Sequence, residues 1–168
     1  MSQPLWSAIA ILAFVTLQRV VELPLAAANT KRLLAAGGRE FAAAHYPLIV
    51  ALHAASLAAL WWFAPGRPIN FAFLALFALI EVGRVWVLRT LGPRWTTRII
   101  VIPGERLVAN GPYRFVNHPN YLVVIAEIAV LPLVFGLWEM ALLFSLLNAA
   151  VLTIRIVAEN RALRSLRA

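Results

Sequence analysis

Apolar residues dominate five stretches of the chain, Pro4–Leu25, Tyr46–Phe63, Ile69–Leu88, Tyr121–Phe135 and Trp138–Ile154, and charged residues collect between them. A helix that crosses a bilayer needs about 20 mostly apolar residues, so this pattern predicts five membrane-spanning helical segments. The fourth run has 15 residues, about 22 Å of helix, and Gly136 follows at once. The fourth and fifth runs are expected to form a tight hairpin, and the length of run four leaves open whether it crosses the membrane or only partly penetrates it. The fold class is therefore an all-α polytopic membrane protein whose last two segments form a hairpin.

Composition removes the main rival to this picture. With 62% hydrophobic and 13% charged residues and a mean hydropathy of +0.83, a water-soluble globule of this length is excluded. There is no cysteine and no aspartate, so disulfides, thiolate zinc sites and a cysteine nucleophile are excluded as well. The net charge of +8 comes almost wholly from arginine. Nucleic-acid binding would need a solvated basic face, whereas these arginines sit in short loops between apolar runs, so no nucleic-acid partner is expected.

Their placement sets an expected topology. Lys31, Arg32 and Arg39 follow run one; Arg89, Arg94, Arg98, Arg106 and Arg114 follow run three; Arg161, Arg164 and Arg167 lie in the tail, and only Arg67 lies on the other side. The positive-inside rule puts the N-terminus outside and residues 89–120 and the C-terminus in the cytoplasm. Ala26–Ala28 resemble a signal-peptide cleavage site, but no basic residue precedes Arg19, so an anchor is expected instead.

Charges inside spans cost about 2.5–3.5 kcal/mol each at mid-bilayer, so each needs a reason. Arg19 and Glu22, and likewise Glu81 and Arg84, are three apart, which predicts intrahelical ion pairs. Glu127 has no basic residue within four positions. It either meets a partner from another helix or lines a polar cavity. On the last helix Asn148, Arg155 and Glu159 fall within about 40° of one another, a polar stripe running toward the cytoplasmic end.

The third loop departs from a generic bundle. Gly92-Pro93, Pro103-Gly104 and Asn110-Gly111-Pro112 turn the chain repeatedly. His118 precedes a proline, which favours an extended backbone, and stands at the start of the fourth helix between Tyr113 and Tyr121. That position suits a small polar ligand. No acid pair accompanies His118 and the other histidines, His45 and His53, lie in or near another span, so no metal is expected.

Gly111-Pro112-Tyr113 followed by His118-Pro119-Asn120-Tyr121, a helical hairpin, and then Arg155 through Glu159 resembles the isoprenylcysteine carboxyl methyltransferase family of integral-membrane methyltransferases. Arg19–Glu22, Lys31-Arg32 through Gly37-Gly38 to His45-Tyr46, Glu127-Ile128 with Leu131-Pro132, and Asn148 extend the resemblance toward its short bacterial branch. That branch comprises the alkylpyrone and alkylresorcinol O-methyltransferases that accompany type III polyketide synthases. The resemblance implies a single domain over 1–168, with 89–168 as the cofactor-binding half, in a bacterial cytoplasmic membrane. It also implies a functional link to a type III polyketide synthase. Asn117 replaces an arginine common before His-Pro, and Asn160 stands where the eukaryotic members have a second glutamate. The chain also ends soon after Leu163, without their aromatic tail, which speaks against a prenylated-protein substrate.

The implied cofactor is S-adenosylmethionine, held by Gly111, Pro112, Tyr113, His118, Pro119, Tyr121, Glu159 and Asn160. Glu159 suits its ammonium, His118 and Tyr113 its carboxylate or ribose, and the Gly111-Pro112 backbone a close approach. Arg155 and Glu127 are the expected catalytic residues, Arg155 orienting an acceptor oxygen and Glu127 orienting or deprotonating a hydroxyl. The acceptor is a lipophilic small molecule entering from the bilayer, such as the hydroxyl of an alkylpyrone or alkylresorcinol, or a related carboxylate. Membrane lipids are the other partner. Two further readings stay open: methylation of a phospholipid amine, which an acidic pocket would serve better, and a non-enzymatic small membrane protein such as a carrier or assembly factor. Single cysteines in this cysteine-free chain test the topology. One near Arg98 should be protected from an impermeant thiol reagent in intact cells and one near Gly66 labelled; the reverse result would invert the orientation.

Overall fold

The computed structural model describes residues 3–165; Arg167 lies outside them. Its main elements are α1 (Gln3–Ala35), β1 (Arg39–Phe41), α2 (Tyr46–Phe63), α3 (Phe71–Leu91), β2 (Ile99–Val101), α4 (Pro119–Val134) and α5 (Trp138–Ser165). Four of the helices are long and apolar enough to cross a membrane, and α4 is a shorter apolar helix. Large apolar side chains face outward along them, with Trp62 81% and Phe71 77% exposed. That is the surface of an integral membrane protein, because lipid rather than water is the solvent such side chains fit.

All five helices run between a loop-rich end and a compact apolar end. At the apolar end Ala8, Leu12, Leu60, Ala64, Phe77, Val134, Phe135 and Leu137 form the core. Gly136, at φ 67°, turns α4 into α5. The Asn70 backbone N–H, at the α2–α3 connection, donates to the Val134 carbonyl at 2.8 Å. The end of α4 is therefore level with the start of α3, and the α4–α5 hairpin reaches the full depth of the bundle rather than stopping part-way. Asn70 also caps α3, its side-chain oxygen accepting from the N–H groups of Ala72 and Phe73, a common use of asparagine at a helix start.

α1 differs most from its expected form. It continues about ten residues past Leu25 to Ala35 because Ala26 to Ala35 is rich in Ala, Leu, Lys and Arg, all good helix formers. Gly37, at φ 88°, then ends it. At 33 residues the helix is about 50 Å long, against a bilayer core of about 30 Å. The surplus binds the third loop. Asn29 Nδ2 donates to the Trp95 carbonyl at 2.7 Å, Arg32 to the Pro93 carbonyl at 2.9 Å, and the Thr30 and Thr96 hydroxyls meet at 2.7 Å. Beside this contact β1 and β2 pair antiparallel, Glu40 opposite Ile100. The ribbon was not expected, although the β-branched run Ile99-Ile100-Val101 carries its signal.

The charged residues of the spans are joined between helices. Arg84 donates through Nε to Glu22 Oε1 at 2.7 Å and through Nη2 to Glu22 Oε2. Its Nη1 reaches both oxygens of Glu127 at 2.9 Å. Arg19 adds a 2.6 Å bond to Glu127 and a 3.4 Å contact with Glu22. The expected Glu81–Arg84 ion pair does not form: Arg84 turns to two carboxylates on α1 and α4, and Glu81 accepts from Gln18 at 2.7 Å. Two carboxylates against two guanidiniums cancel charge across three helices, which a pair on one helix could not do.

Removing one partner from such a cluster leaves a buried charge uncompensated, typically at about 3–5 kcal/mol. Arg84→Met should therefore lower thermal stability in detergent by that amount, whereas Arg67→Ala, at an exposed site, should stay within about 0.5 kcal/mol. Adding Glu22→Gln and Glu127→Gln to Arg84→Met should recover most of the loss. No recovery would refute an electrostatic origin.

Candidate active site

One cavity of about 770 Å³ opens at the loop-rich end and descends between the helices. That lies within the range of about 300–1,000 Å³ usual for small-molecule sites. α1, α2, α4 and α5 each present one face to it, and residues 94–108 of the third loop form part of its wall.

The upper pole is built from the start of α4 and the last turns of α5. Pro119 begins α4, with His118 preceding it at φ −131°, so His118 leaves the helix axis and its ring stacks on Tyr121 at 5.4 Å between centroids. The Tyr121 hydroxyl donates to Glu159 Oε2 at 2.6 Å, and His118 Nδ1 lies 3.7 Å from the same oxygen. These contacts tie α4 to α5 and fix the Glu159 carboxylate at the cavity wall. Tyr113 lines the same pole. Burial, with the charge of Glu159 adding to it, pushes its phenol up to about 12, so it remains a hydrogen-bond donor at neutral pH.

One turn below Glu159, Arg155 donates to the Thr97 carbonyl at 2.9 Å. Its Nε–H is buried without an acceptor. A buried guanidinium donor left unpaired is costly unless something completes it, and Arg155 lines the cavity. Thr97 is itself braced by the Tyr46 hydroxyl at 3.1 Å. Arg98 lies 4.5 Å from the Tyr46 ring centroid and pairs with Glu40 at 2.7 Å. The ribbon and the foot of α2 thus hold the wall against which Arg155 is seated.

Of the residues singled out in the sequence, Tyr113, His118, Tyr121, Glu127, Arg155, Glu159 and Asn160 line the cavity. Gly111, Pro112 and Pro119 do not. Gly111 packs on α3, where a Cβ would meet the Thr90 hydroxyl oxygen at 2.4 Å; its lack of a side chain serves loop packing, not close approach to a ligand. Pro112 and Pro119 are buried as helix-starting residues. The polar stripe of α5 also divides: Arg155 and Glu159 reach the cavity, whereas Asn148 is buried in helix packing, 1% exposed. Glu127 satisfies both alternatives left open for it, meeting Arg84 and Arg19 while lining the lower cavity. Sequence reasoning missed the α2 wall, formed by Tyr46, Ile49, His53 and Leu57. Their spacing of three to four residues was the available signal.

Residues 73–165 match the isoprenylcysteine carboxyl methyltransferase (ICMT) family. This span is more than half the chain and contains the whole third loop, with His118, and Tyr121, Arg155 and Glu159. The chain belongs to that family. It is a membrane methyltransferase. The uncharacterised protein YpbQ of Bacillus subtilis (strain 168) is 36% identical over 167 residues, covering 92% of this chain and 95% of that protein. No solved structure matches. The family match begins within α3, so the α1 and α2 walls of this methyltransferase, with Arg19, Glu22 and His53, lie outside it.

Gly111→Ala should displace the loop from α3 and cost about 1–3 kcal/mol of stability, as overpacking does. Thr90→Ala in the same chain should return part of that, because it removes the two nearest atoms, Oγ1 and Cγ2. Thermal unfolding of the single and double variants measures both effects, and additive losses would disprove the contact.

Proposed function

We propose that this membrane methyltransferase uses S-adenosylmethionine to methylate an oxygen of a lipophilic acceptor. The acceptor class we favour is the hydroxyl of an alkylpyrone- or alkylresorcinol-type polyketide, or a related carboxylate, with a type III polyketide synthase as the supplying enzyme. The observation that carries this reading is one continuous cavity with a polar pole at the loop end and apolar walls between the helices. A water-soluble cofactor and a chain-bearing acceptor can meet in such a space, each reaching it from its own solvent.

The donor set suits the cofactor. The Glu159 carboxylate complements an ammonium, the unpaired Arg155 Nε–H a carboxylate or acceptor oxygen, and the Tyr113 hydroxyl a ribose or carboxylate oxygen. His118, Tyr121 and Asn160 complete that pole. When bound, the cofactor supplies a methyl group on a positively charged sulfur. The protein's part is to hold the two reactants in line and to exclude water, which accounts for much of the acceleration in a displacement of this kind. Arg155, whose Nε–H is left unpaired, favours an oxygen acceptor over an amine, since its guanidinium donates to an oxygen and repels a protonated amine. We further propose that the loop-rich end faces the cytoplasm of a bacterial cell, where the cofactor is made.

Calorimetric titration of the purified protein with S-adenosylmethionine should give micromolar binding. Glu159→Ala and His118→Ala should weaken it at least tenfold with little change in unfolding temperature, and Arg67→Ala should not. Absence of binding by the wild-type protein in several detergents would overturn the proposal. Arg155→Lys should lower turnover, because a lysine has no planar fork to hold both Thr97 and an acceptor oxygen.

A further inference from the structure

The lower half of the cavity contains a group that the family match leaves out. Tyr46, His53 and Leu60 succeed one another at seven-residue intervals on α2, about 20° apart on the helix, and so share one face. Tyr46 stands at the loop end, Leu60 in the apolar core, and His53 midway, about 10 Å from either along the axis. All three line the cavity.

The tautomer of His53 is fixed by its own helix. Nδ1 lies 2.7 Å from the Ile49 carbonyl oxygen. A carbonyl only accepts, so Nδ1 carries the proton, and the neutral ring has an unprotonated Nε2. The charged groups sharing the cavity are Arg19 and Glu22 from α1, Arg84 from α3, Glu127 from α4, Arg155, Glu159 and Arg164 from α5, and Arg94, Arg98, Glu105 and Arg106 from the third loop. Among them the two lower carboxylates are engaged. Both oxygens of Glu22 accept from Arg84, and both of Glu127 accept from Arg84, one also from Arg19. Glu127, expected from sequence to orient or deprotonate the hydroxyl, has both oxygens engaged by guanidiniums.

We infer that His53 Nε2 is the general base for the acceptor, which is therefore a protic hydroxyl, a phenol or enol, and not a carboxylate. This rests on the methyltransferase reading above and deepens it, because a carboxylate is already ionised at neutral pH and needs no base. In the step, the acceptor O–H bond breaks and its proton passes to Nε2. The acceptor oxygen forms the new C–O bond to the methyl carbon of the sulfonium donor, and the old S–C bond breaks with its electron pair on sulfur. The products are a methyl ether and a neutral thioether, and the imidazolium returns its proton to solvent through the cavity.

His53→Asn tests this, because the asparagine amide can still donate to the Ile49 carbonyl but offers no base. The first readout needs no cofactor: a nitrophenol bearing a long alkyl chain is bound to the protein in detergent and its phenolate absorbance followed against pH. Wild-type protein should ionise it at a pH about one unit lower than the variant does, a tenfold difference in equilibrium. The second is turnover at pH 7, where the variant should lose about 10²-fold on an alkylresorcinol, a usual size for general-base catalysis, while binding S-adenosylmethionine normally. That loss should shrink as pH approaches the acceptor's own ionisation. Failure of the wild-type protein to bind S-adenosylmethionine overturns the methyltransferase reading. With that binding intact, an unchanged phenolate titration, a loss under threefold, or faster methylation of an alkyl carboxylate than of the alkylresorcinol overturns the inference about His53 alone.

Discussion

The arrangement of the helices depends on one guanidinium. Arg84 sits on α3, 6% exposed at its side chain, and uses three nitrogens to hold Glu22 of α1 and Glu127 of α4. Between membrane helices there is little hydrophobic drive toward association, because lipid is as apolar as the side chains it would replace. A charge that must find partners inside the bundle supplies specificity instead, since every alternative packing that separates these residues leaves an ion in hydrocarbon. Whatever the net stabilisation of such a cluster, it fixes which faces of α1, α3 and α4 meet. It also gives the cavity a charged wall part-way down, below which Val15, Leu60 and Leu131 carry the space into the apolar core.

The upper boundary has a different origin. α1 is longer than a bilayer requires, and its last three turns hold the third loop through Asn29, Thr30 and Arg32. That contact and the β1–β2 ribbon convert a chain segment rich in Gly and Pro into a wall. Arg155 bonds the Thr97 carbonyl of this wall, and so its position depends on an element more than 100 residues earlier in the sequence. Removing the α1 extension would loosen Arg155, although of its residues only Leu33 lines the cavity.

Much of this was legible in the sequence where hydrophobic runs decide the outcome. α2 occupies Tyr46–Phe63 as the apolar run predicts, and the α4–α5 hairpin turns at Gly136. What was not legible concerns choices that spacing leaves open. Glu81 and Arg84 are compatible with an intrahelical pair by their spacing alone, and only the positions of Glu22 and Glu127 on other helices decide against it. The end of α1 was misread because Lys31 and Arg32 interrupt hydropathy without interrupting helix propensity. Gly111 was read as an approach for a ligand when it is an approach for Thr90. In each case local sequence states a capacity, and the neighbouring element determines its use. The cavity residues His118, Tyr121, Arg155 and Glu159 were recoverable because they belong to motifs in which the order of residues carries the meaning.

The two walls of the cavity therefore differ in how they can change. The α3–α5 side holds the upper pole through contacts that interlock, Tyr121 with Glu159 and Arg155 with Thr97, and altering one member disturbs the others. The α2 side is a single helix face of Tyr46, Ile49, His53, Leu57 and Leu60. Of its bonds at the cavity, that of His53 is local to its own helix. A substitution there alters volume or polarity at one depth and leaves the bundle's ionic cluster intact. Under the proposed function, the cofactor end is the constrained part and the lower α2 face, at Leu57 and Leu60, the adjustable one. Acceptor chain length would then be set by side-chain volume at Leu57 and Leu60, where the cavity meets the apolar core.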